Sequence, residues 1–315
     1  MKLIIQIPCF NEENTLPSVL RDIPQKIPDI SAIETLVIDD GSTDKTSEIA
    51  KKHGVDHIIR FKRNKGLAHV FRAGIEEALK LGADIIVNTD ADNQYYGGDI
   101  CKLVAPIVNG EADMVVGARP IDDIDDFSWL KKKLQRLGSF FVRFFSQTPI
   151  SDATSGFRAF SREAALRINI FSSYTYTLES LIQAGENKLK LVDVPIKVNR
   201  KTRESRLFKN IPSYISRSII TIVRVCILYR PLKYFFIIGS SVFSFGVLLG
   251  LRFLYFYLTG SGGGHVQSLI LASVFITLGF QLLMIGLLAD VVATNRKIAE
   301  DIQLRIKKLE LAIKE

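Results

Sequence analysis

Five short runs of aliphatic and β-branched residues recur along the first part of the chain: Leu3 to Ile7, Thr35 to Ile38, His57 to Phe61, Ile85 to Thr89 and Met114 to Gly117. Each gives way to turn-forming residues and then to a helical pattern. This alternation predicts an α/β domain built on a parallel, doubly wound sheet, whose ligands sit at the carboxyl ends of the strands. The conspicuous polar residues Asn11, Asp40, Asp90 and Arg119 all fall at such ends.

The fourth run carries the most chemistry. Ile85-Ile86-Val87-Asn88-Thr89 leads into Asp90-Ala91-Asp92-Asn93-Gln94. Alternate residues of extended chain point the same way, so Asp90 and Asp92 can aim their oxygens at one point, with Gln94 continuing the series. Hard divalent cations take such oxygen donors, and Mg²⁺ is usually held by one or two carboxylates plus substrate phosphates. A loop-capping pair is the competing reading of the same residues. A second acidic pair, Asp123 and Asp125, follows no apolar run and reads as a solvated loop.

Asp40, just past a strand end, is placed to accept hydrogen bonds from a ribose or base, whereas Ser42, Thr43 and Asp44 suit a turn and helix cap equally well. No glycine-rich dinucleotide fingerprint or P-loop occurs, so phosphates need other partners. Arg119, Arg158, Arg200, Lys201, Arg203 and Arg206 supply cations, and guanidinium groups suit bidentate phosphate binding. For Arg200 to Arg206, a basic patch against anionic lipid is a compatible alternative. The loop Ser151 to Arg158 gathers an acid, hydroxyls, a glycine and an arginine, and reads either as a surface turn or as part of the site.

Hydrophobic residues make up 47% of the 315, an excess that sits almost wholly beyond residue 230. Leu232 to Leu258 and Leu269 to Ala289 are each long enough to span a membrane, for which about 20 apolar residues suffice. Lys233 precedes the pair and Arg296, Lys297, Arg305, Lys307 and Lys308 follow it, while the linker Thr259 to His265 has no Lys or Arg. The positive-inside rule then puts both termini and the catalytic domain in the cytoplasm, with two spans in the cell membrane. Before the spans, Ile215, Ile219, Ile222 and Cys226 form a helical stripe, read as an interface helix over 208–230 or as a buried core helix. After them, Ile298, Ile302, Leu309 and Ile313 predict a solvated or interface-hugging charged helix over 295–315, with self-association, and hence a homo-oligomer, as the other reading.

The net charge of +8 fits nucleic acid, anionic lipid or phosphorylated substrates alike. Nucleic acid explains neither the hairpin nor the paired acids and is not expected as a partner. Cys9, Cys101 and Cys226 are odd in number and far apart, which argues against a disulfide framework or a zinc site and for a reducing compartment. Met1-Lys2 leads directly into an apolar run, so no secretory leader is expected.

Pro8-Cys9-Phe10-Asn11-Glu12-Glu13, Val37 to Asp44, Asn64-Lys65-Gly66, Asp90 to Gln94 and Ser155-Gly156-Phe157-Arg158 occur in this order over a domain spanning 1–207. In this the chain resembles glycosyltransferase family 2, and within it the dolichyl-phosphate mannose synthase-like polyprenyl-phosphate glycosyltransferases. The resemblance implies a GT-A fold, a nucleotide-sugar donor linked to uracil or guanine nucleotide, a polyprenyl phosphate acceptor and Mg²⁺ or Mn²⁺. It implies that Pro8, Asn11, Glu13 and Asp40 cradle the nucleoside. Asp90, Ala91, Asp92 and Gln94 match the metal and diphosphate positions, Arg119, Ser155 and Arg158 those near the phosphates, and Asp152 an acid of the acceptor loop. Among these, Asp92, Arg119, Asp152 and Arg158 are the expected catalytic residues. Arg200 and Arg206 stand where the family closes the domain with basic residues, although Arg203 replaces a glycine there and Arg206 a lysine. Arg136 is a looser match to the acceptor phosphate.

The chemistry so implied is transfer of one sugar, with inversion, to a lipid phosphate that is already nucleophilic at neutral pH. A processive polysaccharide synthase is disfavoured because Trp129, the only tryptophan, stands in Phe127-Ser128-Trp129-Leu130 outside the motif such enzymes carry. An inactive membrane scaffold is disfavoured by the intact Asp90, Asp92 and Arg158.

Overall fold

The structure is a computed structural model and describes residues 1–120, 150–170, 176–199, 231–260 and 262–313. Arg136, Arg200, Lys201, Arg203, Arg206, Trp129 and the segment 208–230 lie outside the described residues. The chain divides into two compact units, one of Met1–Ile219 with Gln303–Glu315 and one of Ile220–Ile302.

In the first unit the strands are β1 (Lys2–Cys9), β2 (Ala32–Asp39), β3 (His57–Arg60), β4 (Ile85–Asn88), β5 (Met114–Ala118), β6 (Arg158–Ser161) and β7 (Leu191–Pro195). Among the described residues they form one sheet in the order β3-β2-β1-β4-β6-β5-β7. The expected parallel sheet holds for β1 to β4 and for β5 with β7, but β6 runs antiparallel to both β4 and β5. The sheet is therefore mixed. An antiparallel strand starts where its parallel neighbours end, so β6 delivers the loop before it to the carboxyl end of β4.

Both faces of the sheet are covered, which is why its central strands read as unbroken apolar runs. Leu3, Ile5 and Ile7 of β1 pack with α1 (Leu16–Asp22) and α4 (Ile100–Val108), whereas Ile4 joins Leu36 and Ile38 against α3 (Leu67–Lys80). Helix α3 buries Val70, Phe71, Ile75, Ala78 and Leu79, the stripe expected of a helix on a sheet. Helices α2 (Thr46–Lys52), α5 (Arg162–Arg167) and α6 (Thr177–Glu186) complete the unit. The order reverses between β1 and β4, the point at whose carboxyl ends open α/β sheets place their ligand crevice.

The second unit contains α7 (Pro231–Leu258) and most of α8 (Val266–Ala312), both long and apolar enough to cross a membrane. They meet through small residues. Gly239 and Gly246 of α7 and Ala272, Gly279, Gly286 and Ala293 of α8 are buried at seven-residue spacing. A Cβ on Gly279 would come within 2.5 Å of the Phe243 nitrogen, and one on Gly246 within 2.7 Å of the Ile276 nitrogen. Small residues at the contact let the two helix backbones approach this closely.

The charged helix expected to begin near residue 295 is instead the uninterrupted end of α8, and from Gln303 it belongs to the first unit. Leu304 and Leu311 pack against the core there, Lys307 Nζ donates to Asn169 Oδ1 at 2.7 Å, and Lys308 pairs with Glu163 at 3.0 Å. The apolar residues picked out by sequence, Ile298, Ile302, Leu309 and Ile313, stay exposed on a different face.

Candidate active site

The crevice begins with β1 and β2. Pro8 is buried near the end of β1, and Asn11 beyond it adopts φ 55°. Asn11 Oδ1 accepts from the Thr43 N–H at 2.8 Å, and the Asn11 N–H donates to Ser42 Oγ at 2.9 Å. Glu13 accepts from the Lys45 N–H at 3.1 Å and donates its own N–H to Asp44 at 3.1 Å. The loops after the two strands are thus laced together. Asp40, nearly fully buried, uses one carboxylate oxygen for the Lys65 N–H at 2.7 Å and the other for the Gly66 N–H at 2.9 Å. It holds the turn before α3 and so shapes the wall of the crevice.

At the end of β4, Asp90 and Asp92 are half-buried and Ala91 between them is buried. Asn93, at φ 58°, turns the chain, and Gln94 enters the same turn by donating its N–H to Asp92 Oδ1 at 3.1 Å. Asn199 pins this turn, donating to Asn93 O at 3.1 Å and Tyr95 O at 3.3 Å. Burial, and then the charge of Asp92, raise the Asp90 carboxyl from its ordinary value of 3.8 to about 7. A buried carboxylate beside a second acid is what a dication would neutralise.

Among the described residues no group of three His, Cys, Asp or Glu comes together as a metal cage. The donor set is Asp90 and Asp92, with Gln94 in the same turn, and it suits a hard cation whose other ligands come from a substrate diphosphate.

Arg119 leaves the end of β5 and grips Asp152 at two points, Nε to Oδ2 at 2.6 Å and Nη2 to Oδ1 at 3.0 Å, with Nη2 also reaching Thr154 Oγ1 at 2.8 Å. Its positive charge counts among the influences on Asp90. Burial would raise the Asp152 carboxyl, but the charge and hydrogen bonds of Arg119 outweigh it and hold the group below its ordinary range. Ser155 is fully buried, its Oγ accepting from the Phe157 N–H at 3.3 Å.

Arg158, expected near the phosphates, is committed to protein partners. It is fully buried, with Nε on Ser155 O at 2.7 Å, Nη1 on Thr177 O at 2.7 Å and Ser180 Oγ at 2.6 Å, and Nη2 on Ala153 O at 2.9 Å. The guanidinium ties the Ala153 to Ser155 loop to the start of α6. Burial draws its pKa down to about 10, which leaves it cationic at neutral pH.

Sequence reasoning missed Asn88, Tyr95, Tyr176 and Asn199. Asn88 had a visible signal, a polar residue inside an apolar strand. Tyr95, Tyr176 and Asn199 had none, because their partners are distant in sequence.

The solved structures of glucosyl-3-phosphoglycerate synthase from Mycobacterium tuberculosis share this fold. The one with Mn²⁺, UDP-glucose and phosphoglyceric acid matches with a TM-score of 0.57 at 19% identity, over 71% of this chain and 79% of that one. The mixed sheet is thus of the GT-A type. Among curated proteins, the UDP-N-acetylglucosamine--dolichyl-phosphate N-acetylglucosaminyltransferase of Methanococcus voltae is 33% identical over 61% of this chain and 83% of its own length. The polyprenol monophosphomannose synthase of Mycolicibacterium smegmatis is 26% identical over 62% and 76%. The profile of Glycosyl transferase family 2 matches residues 4–168, more than half of the sequence, and the chain belongs to that family.

Proposed function

We propose that this glycosyltransferase moves a single sugar from a UDP- or GDP-linked donor to a polyprenyl phosphate, with inversion, at the cytoplasmic face of a membrane. The observation that carries the reading is the placement of Asp90 and Asp92 at the sheet's topological switch, near the charge of Arg119. Relatives named for dolichyl-phosphate and polyprenol acceptors, and two helices fit to span a membrane, support the acceptor class.

In the proposed reaction an acceptor phosphate oxygen bonds to the anomeric carbon as the bond from that carbon to the nucleoside diphosphate breaks. Mg²⁺ or Mn²⁺ at Asp90 and Asp92 would neutralise charge on the leaving diphosphate. Arg119, preorganised by Asp152, faces the same developing charge. A lipid phosphate is largely dianionic at neutral pH and needs no base. Asp152, held ionised by its two-point pairing, is a poor proton acceptor and acts by orienting Arg119. Asn11, Glu13 and Asp40 shape the nucleoside wall by holding its loops, and Arg158 and Ser155 brace the loop beneath the phosphates. Lys233 and the basic residues from Arg296 onward support a cytoplasmic assignment for both termini.

The test is to incubate the purified chain with a panel of nucleotide sugars, Mg²⁺ or Mn²⁺ and a short polyprenyl phosphate. One sugar per lipid, loss with a chelator and a drop of about 100-fold in Asp92→Asn are expected. Turnover that survives chelation, or polymeric products, would sink the reading.

A further inference from the structure

Gln6 of β1, Asn88 of β4 and Arg158 of β6 are buried polar residues inside the sheet. The register pairs Gln6 with Asn88 and Asn88 with Arg158, so all three stand in one row and on one face. Each is fully buried. Gln6 Nε2 donates to Asn88 Oδ1 at 2.8 Å, which fixes the orientation of the Asn88 amide. Its NH₂ group must then point away, and it donates to Gly156 O at 2.8 Å and to Tyr176 Oη at 2.9 Å. A reversed Asn88 would set its NH₂ group against that of Gln6 on one side and its oxygen against Gly156 O on the other.

Gly156 is gripped at its N–H and its C=O. Tyr176 Oη donates to Gly156 O at 3.2 Å, and the Gly156 N–H donates to Tyr95 Oη at 2.9 Å. The rings that do this are themselves immobilised. Tyr176 stacks on Phe71 at 3.9 Å between centroids, and Tyr95 stacks on Phe157 at 5.1 Å.

The gripped residue lies directly against the Asp90 carboxylate. A Cβ on Gly156 would sit 2.8 Å from Asp90 Oδ2, 3.1 Å from Oδ1 and 2.9 Å from Tyr176 Oη. Where this backbone is held, it limits how far the carboxylate can move towards it. The row is also costly to keep: Gln6 Oε1 is buried without a hydrogen-bond partner among the described residues, and leaving such a group unpaired is destabilising. An apolar row would avoid that cost, which argues that the polar one is retained for what it positions.

We propose that Tyr176 is a positioning residue for the Asp90 carboxylate, acting through Gly156, with Gln6 and Asn88 setting the polarity of the chain of hydrogen bonds. The proposal rests on the cation site proposed above, and the ligand whose binding it tunes is the divalent cation. Outer partners of metal-binding groups typically shift metal affinity by about 10- to 100-fold.

The experiment measures Mn²⁺ binding to the full chain by the electron paramagnetic resonance signal of unbound Mn²⁺, with Mn²⁺ alone and with UDP, alongside the unfolding midpoint. Tyr176→Phe keeps the ring on Phe71 and removes the hydroxyl, and Mn²⁺ binding is expected to weaken about 10-fold. Gly156→Ala pushes on Asp90 directly and is expected to weaken it further. Val104→Ala, a core truncation in α4 on the other face, lowers the midpoint but leaves Mn²⁺ affinity unchanged. Tyr176→Phe or Gly156→Ala binding Mn²⁺ within about twofold of the unaltered chain, while Asp92→Asn loses it, would overturn the positioning role alone. Equal weakening in Val104→Ala would overturn it too, by tracing the effect to general loss of stability. No Mn²⁺ binding by the unaltered chain would take down the cation site and this proposal together.

Discussion

Arg119 and Asp152 make a two-point ion pair, 2.6 and 3.0 Å, almost wholly out of solvent. Two elements that the chain separates, the end of β5 and the loop before β6, are joined by it. Removing one partner of such a pair leaves a buried charge uncompensated, at a cost of about 3–5 kcal/mol. Asp152→Asn is therefore expected to lower the unfolding midpoint at about pH 7. The folded carboxyl lies below its ordinary 3.8, so its contribution is present above the unfolded value and is lost as pH falls through the folded one. The gap between the two proteins should narrow only below about pH 4. Thermal unfolding across that range checks it; a gap unchanged at the acid end would mean that the pair's ionisation contributes nothing.

Arg158→Lys separates bracing from phosphate binding. Lysine keeps the charge but lacks the planar fork that meets carbonyls of Ser155, Thr177 and Ala153. The expected result is a loss of about 3 kcal/mol, seen as a lower midpoint. An unchanged midpoint with lost nucleotide affinity would return Arg158 to the phosphates.

The end of α8 makes a sharp contrast between two faces. Leu304→Ala and Leu311→Ala, on the packed face, should each cost about 1–2 kcal/mol, less than a fully buried leucine. Ile302→Ala and Ile306→Ala, on the exposed face, should stay within about 0.5 kcal/mol. Lys308→Ala should also change little, because its pair with Glu163 is open to water. Midpoints measured for the five variants decide it, and larger losses on the isoleucine face would reverse the assignment.

Gly279→Leu should disrupt the apolar hairpin. Its Cβ would meet the Phe243 nitrogen at 2.5 Å, and backbone cannot yield as a flexible side chain can. Gly263→Leu, where nothing lies within 4 Å, serves as the control. Unfolding in detergent should separate the two by several degrees, a loss of about 1–3 kcal/mol from overpacking. Equal midpoints would mean that the helices do not depend on this contact.

The direction of β6 and the packing of the tail have one thing in common: neither is set by local sequence. Direction was illegible for β6 because Arg158-Ala159-Phe160-Ser161 is too short to carry a sign of it. The connection of the tail to the first unit was illegible because Leu304 and Leu311 on one face and Ile302, Ile306 and Leu309 on another are equally apolar. Which stripe of a helix is covered depends on what lies beside it, and no local pattern encodes that.

By itself the sequence determined the alternation of strands and helices, the two apolar spans and the acids at the end of β4, because burial periodicity and turn chemistry act over a few neighbouring residues. The tertiary structure alone decided that Gln6, Asn88 and Arg158 share a row, that Tyr95 and Tyr176 hydrogen-bond Gly156 beside Asp90, and that Arg158 meets the carbonyls of Ala153, Ser155 and Thr177. Each of these depends on strand register and strand direction, which are fixed only when distant segments close their hydrogen bonds together.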